Sequence, residues 1–385
     1  MIILALFLLT GSVLLWDVTH QKISIDEAES PTSASGSGEW LIWIEDSGQE
    51  ISITATNVIS KTNRTLGGMT WESPPQVVSS GNSFVVYDEF RVDYFRHDSE
   101  AGILEPIFSE YSAESLIDIS ISSSSINTGY IAMLSNESLR IVDTSDQSTR
   151  ILESVPNSSV VASSGPLVAF SANTPSGPTV NITSADSDLT LTILLDPRSS
   201  EGIEESIRNS GTLLDFGNST IVELVMDSNW LVATVDVGPF NRTIMVDTSS
   251  INQTLISNPR WDSSSPSIGE GKVAFLQVTR DSIISTSQDS LRNNDVYVYY
   301  IESAETRQHT FDDDVDQFQP QILQDRLAWI EVNDQGEKQL LVYSFIDTIE
   351  PRNSLLLQAS ILAMIPLIFL WTLQSYGAKI VTQRV

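Results

Sequence analysis

Four carboxylates crowd a seven-residue stretch near the end of the chain, Phe311-Asp312-Asp313-Asp314-Val315-Asp316-Gln317, with no lysine or arginine among them. Like charges this close repel, and a hard cation relieves the repulsion by taking oxygen ligands. Asp312, Asp313, Asp314 and Asp316 are therefore a candidate calcium site. The stretch lacks the spaced acids and the glycine of an EF-hand loop, and its alternative reading is a solvated acidic connection. A second chemistry is aromatic stacking. Trp71 and Trp261 open matching segments, Trp71-Glu72-Ser73 and Trp261-Asp262-Ser263, and Phe318 stands in a similar place before Gln319-Pro320. Rings on connecting loops stack on a sugar or clamp a peptide, or else they cap the core beneath them.

Catalytic chemistry has little to work with. There is no cysteine, so neither a disulfide nor a thiolate metal site is available, and the three histidines are His20, His97 and His309. The chain carries no nucleophile elbow, no zinc-protease helix motif, no P-loop and no dinucleotide fingerprint. The Asp-box repeat of sialidase propellers is absent as well. A pair of carboxylates for glycoside cleavage is a spatial constellation, which a linear sequence neither reveals nor excludes.

The formal net charge is −30 over 385 residues, with five lysines. Phosphate backbones are bound by clustered Lys and Arg, so nucleic acid is excluded as an expected partner. Such a surface suits solubility at high salt, where screening weakens self-repulsion.

The elements that must position these residues follow from a repeat. Seven ten-residue windows, beginning at Ala34, Val78, Ser124, Val161, Leu224, Pro266 and Pro320, end in the same apolar pattern. Their eighth column reads Leu41, Val85, Ile131, Val168, Leu231, Val273 and Leu327. The ninth holds Ile42, Val86, Ala132, Ala169, Val232, Ala274 and Ala328, and the tenth is mostly aromatic, with Trp43, Tyr87, Phe170, Phe275 and Trp329. Consecutive apolar residues along a strand mean burial on both faces. The windows recur about every 48 residues, the length of a four-stranded propeller blade. After each window comes a second apolar run that ends near an acidic turn, as in Ser138–Asp143 and Arg242–Asp247, and then a short edge strand. Tandem immunoglobulin-like sandwiches also use many short strands, but their domains of about 100 residues fit this period less well.

The stretch from Asp295 to Val332, with its D-x-Y-x-Y strand, a threonine before an acid-rich loop and a P-x-I turn leading into Leu327-Ala328-Trp329, resembles the TolB-like, WD-repeat-like propeller families of secreted bacterial and archaeal proteins. The resemblance is clear over the last two repeats, fair over the second and weak over the third to fifth. It implies architecture and carries no chemistry of its own. The expected fold is all-β, a seven-bladed β-propeller of four-stranded blades over residues 22–350. Lys22-Ile23-Ser24-Ile25 alternates suitably to complete the last blade.

Both ends suggest a membrane. Ile2 to Trp16 is apolar, so 1–21 reads as a signal peptide or an N-terminal anchor. Leu355 to Leu373 is uncharged, with Trp371 and Tyr376 at its far end, and 351–376 reads as a transmembrane helix. Lys379 and Arg384 beyond it place the short tail, 377–385, in the cytoplasm and the repeats outside. Seven sequons, at Asn63, Asn136, Asn157, Asn181, Asn218, Asn241 and Asn252, are available for glycosylation there. Departures from the average repeat mark where function could sit: Asp196 to Gly217, Thr279 to Asn294 and Phe311 to Gln317. The sequence thus points to a cell-membrane protein, single-pass, whose extracellular propeller binds or scaffolds a protein, peptide or glycan through Trp71, Trp261 and Phe318. A carboxylate-dependent glycoside hydrolase or lyase working in the central channel is the alternative.

Overall fold

The computed structural model describes residues 22–24, 31–46, 50–71, 73–96, 106–112, 114–123, 129–136, 138–153, 155, 158–174, 177–196, 219–238, 240–259, 261–278, 294–311, 315–333 and 335–345. The expected signal or anchor 1–21, the helix 351–376 and the tail 377–385 lie outside these residues, as do Asn157, Asn218, Asp312, Asp313 and Asp314. Among the described residues no helix is long and apolar enough to cross a membrane. The chain divides into two compact units, Ser24–Val342 and the two ends, Met1–Ile23 with Tyr343–Val385.

Seven four-stranded sheets make up the described structure. Blade 1 comprises Pro31–Ser37, Trp40–Asp46, Ile51–Asn57 and Thr62–Met69. Blade 2 comprises Gln76–Ser80, Ser83–Tyr87, Arg91–Arg96 and Pro106–Tyr111. Blade 3 comprises Leu116–Ser123, Gly129–Ser135, Ser138–Asp143 and Thr149–Glu153. Blade 4 comprises Val161–Ser164, Leu167–Thr174, Gly177–Ser184 and Ser187–Leu194. Blade 5 comprises Thr220–Asp227, Trp230–Asp236, Asn241–Asp247 and Asn252–Leu255. Blade 6 comprises Ser263–Gly269, Lys272–Val278, Asn294–Tyr300 and Glu305–Gln308. The seventh sheet has the order Lys22–Ser24, Lys338–Ser344, Arg326–Asn333, Val315–Ile322. Within blades 1 to 6 the strands pair antiparallel in chain order.

Turn chemistry explains the short connections. Gly38, Gly81 and Gly165 follow the inner strands of blades 1, 2 and 4 with φ of 59°, 56° and 54°. A positive φ at the first position of a two-residue hairpin turn is the conformation glycine adopts without strain. The turn between third and fourth strands has its own recipe. Asp143 accepts from the N–H of Ser145 at 2.8 Å, Asp247 from that of Ser249 at 2.9 Å, and Asn57 from that of Ile59 at 3.0 Å. Four residues on, Lys61, Gln147 and Ile251 turn left-handed, with φ of 57°, 60° and 60°. A short side chain at the start of a turn makes this bond to the backbone two residues on.

The core lies between the blades. All seven residues of the eighth column, from Leu41 to Leu327, are 0% exposed. Burying each such side chain contributes about 1.5–3 kcal/mol against leaving it in water. In blade 3 Ile131 and Met133 face blade 2, while Ala132 and Leu134 face blade 4. Blade 2 corrects the alignment read from the sequence. There Phe84 and Val86 pack on blade 1, whereas Val85 and Tyr87 pack on blade 3. Phe84, not Val85, is therefore the equivalent of Leu41; its partner Ser79 matches Gly36 opposite Leu41. Because both faces of the strand are apolar, a one-residue slip left the hydrophobic pattern unchanged.

Candidate functional site

The inner strands of the seven blades surround a channel enclosing about 710 Å³. Among the described residues its wall carries 13 serines, four glutamines and the carboxylates of Asp118, Glu223, Asp227 and Glu270, with no lysine, arginine, histidine or aromatic ring. The serines come from period-2 alternation: Ser33, Ser35 and Ser37 in blade 1, and Asp118, Ser120 and Ser122 interleaved with Ile119 and Ile121 in blade 3. An inner strand leaves one row of backbone polar groups unpaired by its own sheet, and these side chains take up part of that row.

Every junction between blades is closed in this way. Ser33, Ser35 and Ser37 accept from the backbone N–H of Val77, Ser79 and Gly81 at 3.3, 2.9 and 2.7 Å. Ser80 accepts from Ser123 N–H at 3.0 Å. Asp118 Oδ2 accepts from Val161 N–H at 2.8 Å, and Ser122 donates to the carbonyl of Gly165 at 2.6 Å. Ser159 donates to the carbonyl of Ile221 at 3.0 Å, and Glu223 Oε2 accepts from Ser265 N–H at 2.7 Å. Ser267 accepts from Ile322 N–H at 3.0 Å, while Gln319 and Gln321 accept from Ala34 and Gly36 N–H at 2.9 and 3.2 Å. The last junction is close-packed: a Cβ on Gly36 would stand 2.5 Å from Leu323 Cδ2, so that side chain would have to shift.

Burial pushes the Asp118 carboxyl up to about 6, against the lowering effect of the Val161 and Ile119 N–H groups. Burial also raises Glu223, and the buried Tyr87 phenol is raised further by the charge of Asp118. A carboxyl near 6 is in the range of a general acid. Both oxygens of Asp118 are nevertheless occupied by backbone donors, Ile119 N–H at 2.9 Å being the second. Neither Asp118 nor Glu223 figures among the causes of the other's shift. The arrangement is that of a structural staple rather than an acid–base pair.

The loop face is different. Trp71 lies in the connection from blade 1 to blade 2 and packs on the core between them, and Trp261 does the same between blades 5 and 6. Phe318 is 38% exposed, at an irregularity in the inner strand of blade 7. The three predicted rings thus occupy three separate junctions. Around Trp71, however, the structure assembles a group that sequence reasoning missed. The guanidinium of Arg91 lies 4.5 Å from the Trp71 ring centre and 5.6 Å from that of Tyr111. Asp93, fully buried, holds that guanidinium through contacts of 2.7 and 3.1 Å. Tyr111 is 72% exposed and Phe90 39%. Strand order explains the meeting: the turn before Arg91, the end of the outer strand at Tyr111 and the connection at Trp71 all fall at one end of their sheets. Residues 20 and 40 apart carry no linear signal of that.

Asp316 accepts from Asn294 N–H at 3.0 Å, and its companions Asp312, Asp313 and Asp314 lie outside the described residues. Among the described residues no group of three or more His, Cys, Asp or Glu could hold a metal ion. Of the sequons, Asn63, Asn136 and Asn252 are exposed, and Asn181 and Asn241 half-buried.

No family model and no curated protein matches this sequence. Solved structures do match the fold. The β-propeller domain of Myceliophteria thermophila Cps50 (Swd1) is 12% identical, covers 84% of this chain and 99% of that one, and has a TM-score of 0.55. The WD40 domain of Toxoplasma gondii coronin is 9% identical, covers 85% and 87%, and has a TM-score of 0.52. The tricorn protease is 16% identical with a TM-score of 0.42, covering 78% of this chain, which spans 28% of that protein's length. At these identities the likeness is one of fold: the chain is a seven-bladed β-propeller of four-stranded blades, built like the WD-repeat propellers.

Proposed function

We propose that this protein is a membrane-anchored binding or scaffolding module, its propeller extracellular and its tail 377–385 cytoplasmic, meeting a protein, peptide or glycan through the loop face. The propeller fold is compatible with such a module. The observation that carries the reading is the Trp71–Arg91–Tyr111 group: the exposed Tyr111 ring lies beside a guanidinium that also meets the half-buried Trp71 and whose own charge is met by a buried carboxylate. Exposed large aromatics on rigid support make good binding anchors, because little entropy is lost when they are covered. The channel supports the reading from the other side, since so many of its polar groups are spent on joining blades. The uncharged run from Leu355 to Leu373 and the basic residues beyond it support the anchor.

Affinity capture of the full chain from its host membrane, with crosslinking, tests the binding role. Partners should crosslink near Tyr111 and Phe90 and be lost in Tyr111→Ala; recovery of none counts against the module. Protease treatment of intact cells tests the topology. An epitope placed in the Asp196 to Gly217 segment should be cleaved, and one at the C-terminus protected.

A further inference from the structure

The loop-face reading leaves the chemistry of the partner open, and the surroundings of Tyr111 narrow it. Arg91 is largely engaged within the protein. Its Nη2 and Nε contact Asp93, its Nη1 reaches the carbonyl of Thr70 at 3.4 Å, and its guanidinium carbon lies 4.5 and 5.6 Å from the ring centres of Trp71 and Tyr111. What remains accessible is the ring of Tyr111, the ring of Phe90 and a set of carboxylates.

Those carboxylates outnumber the base beside them. Glu89, Glu110 and Glu114 stand on the turn, the outer strand and the connection of blade 2, while Asp88 and Asp93 are buried, Arg91 is met by Asp93, and Arg140 of blade 3 pairs with Glu110. The segments carrying them are knitted together: Ser112 N–H donates to the Phe90 carbonyl at 2.7 Å and Leu116 N–H to that of Glu89 at 2.8 Å. Glu89 accepts from Ser115 Oγ at 2.7 Å and Glu114 from Ser135 Oγ at 2.7 Å, bonds that fix the carboxylates without neutralising them. Ring faces and ionised carboxylates are acceptors only. A partner complementary to this surface must bring donors and positive charge.

We infer that the surface formed by Tyr111 and Phe90, rimmed by Glu89, Glu110 and Glu114, binds a basic segment of a partner protein, an arginine or lysine stacking on Tyr111. This rests on the loop face being the binding surface. The guanidinium of Arg91 already shows the geometry on one side of the Tyr111 ring, and the exposed part of the ring accepts a second cation in the same manner. Attraction between the carboxylates and such a segment speeds association and weakens with salt.

The test uses the full chain in detergent and a synthetic octapeptide alternating arginine and serine, beside the same peptide with citrulline in place of arginine. The arginine peptide should bind the parent and Tyr111→Phe alike, and bind Tyr111→Ala at least about fivefold more weakly. Glu110→Gln combined with Glu114→Gln should flatten the salt dependence, and the citrulline peptide should bind at least about tenfold more weakly. Equal binding of the arginine peptide to Tyr111→Ala, or of the citrulline peptide to the parent, overturns the proposal. Crosslinked capture separates the two levels of argument. Partners that persist in Tyr111→Ala sink the loop-face reading itself. Partners that depend on Tyr111 but present a glycan or a neutral or acidic segment sink only the basic-segment proposal.

Discussion

The channel wall and the loop face of blade 2 are both rich in functional groups, yet they spend them in opposite ways. Along the channel, serines, glutamines and two carboxylates are consumed in bonding the backbone of the neighbouring blade. On the loop face one arginine and one buried aspartate are spent beside Tyr111, whose ring stays exposed. Polarity and location at the fold's axis are therefore poor guides to function here. The useful question for each group is whether its bonding capacity is already met. By that test the channel is built chiefly for stability, the loop face is the surface proposed for recognition, and variants at Asp118 and Tyr111 should separate the two.

The largest effect is expected at Asp118. Replacing it with alanine leaves the buried N–H groups of Val161 and Ile119 without their acceptor, at a cost of about 2 kcal/mol or more in unfolding free energy. Urea denaturation at pH 5 measures it, and capture of partners should be unaffected. A variant as stable as the parent would show that the staple is dispensable. Asp118→Ser, which imitates Ser33 at the first junction, should recover part of the loss.

The same residue sets a pH dependence. Its carboxyl is raised from 3.8 to about 6 in the folded protein, so the folded state holds a proton that the unfolded state has released. The favourable contribution is complete below about 3.8 and is lost as pH rises through about 6. The destabilisation caused by Asp118→Ala should accordingly be larger at pH 5 than at pH 7.5, where the parent carries a desolvated charge. Equal losses at both values would contradict the assignment. Glu223, raised for the same reason, acts in the same direction.

Much of the fold was legible because it rests on repetition of one simple pattern. The eighth to tenth columns are buried in every blade, and the turns at Asp143 and Asp247 bond as their side chains allow. The one-residue slip in blade 2 escaped because Phe84, Val85, Val86 and Tyr87 are all apolar, which erases the alternation that marks a face. The serine staples were visible as T-S-A-S-G-S and I-S-I-S-S but unread, since small polar alternation looks like an exposed strand. Trp71 was legible as a loop aromatic. Arg91 and Tyr111 were not, since only the meeting of a turn, an outer strand and a connection makes them neighbours.

A smaller effect is expected at the turn between the third and fourth strands of blade 5. Ile251 is β-branched and half exposed, and it sits in the left-handed conformation at φ 60°. A branched side chain is strained there, and little packing offsets the strain. Ile251→Gly should raise stability by about 1 kcal/mol, read as an increase in the urea midpoint. Lys61 and Gln147, unbranched at the same turn position, should gain less from the same change.

The smallest stability effect should come from Tyr111→Ala, and that smallness sharpens the comparison. The ring is 72% exposed, and its packing on Arg91 is a surface cation–π contact. Its removal should change unfolding free energy by no more than about 0.5 kcal/mol. A large loss would mean that Tyr111 helps hold Arg91 over Trp71 and that the stack is structural, like the channel staples. A negligible loss accompanied by loss of partner capture would mean that the ring is maintained for contact, since a large exposed aromatic that neither packs nor binds contributes only a liability to aggregation. The two outcomes are separated by a single denaturation curve and one pull-down on the same variant, and together they decide to which of the two regions blade 2's loop face belongs.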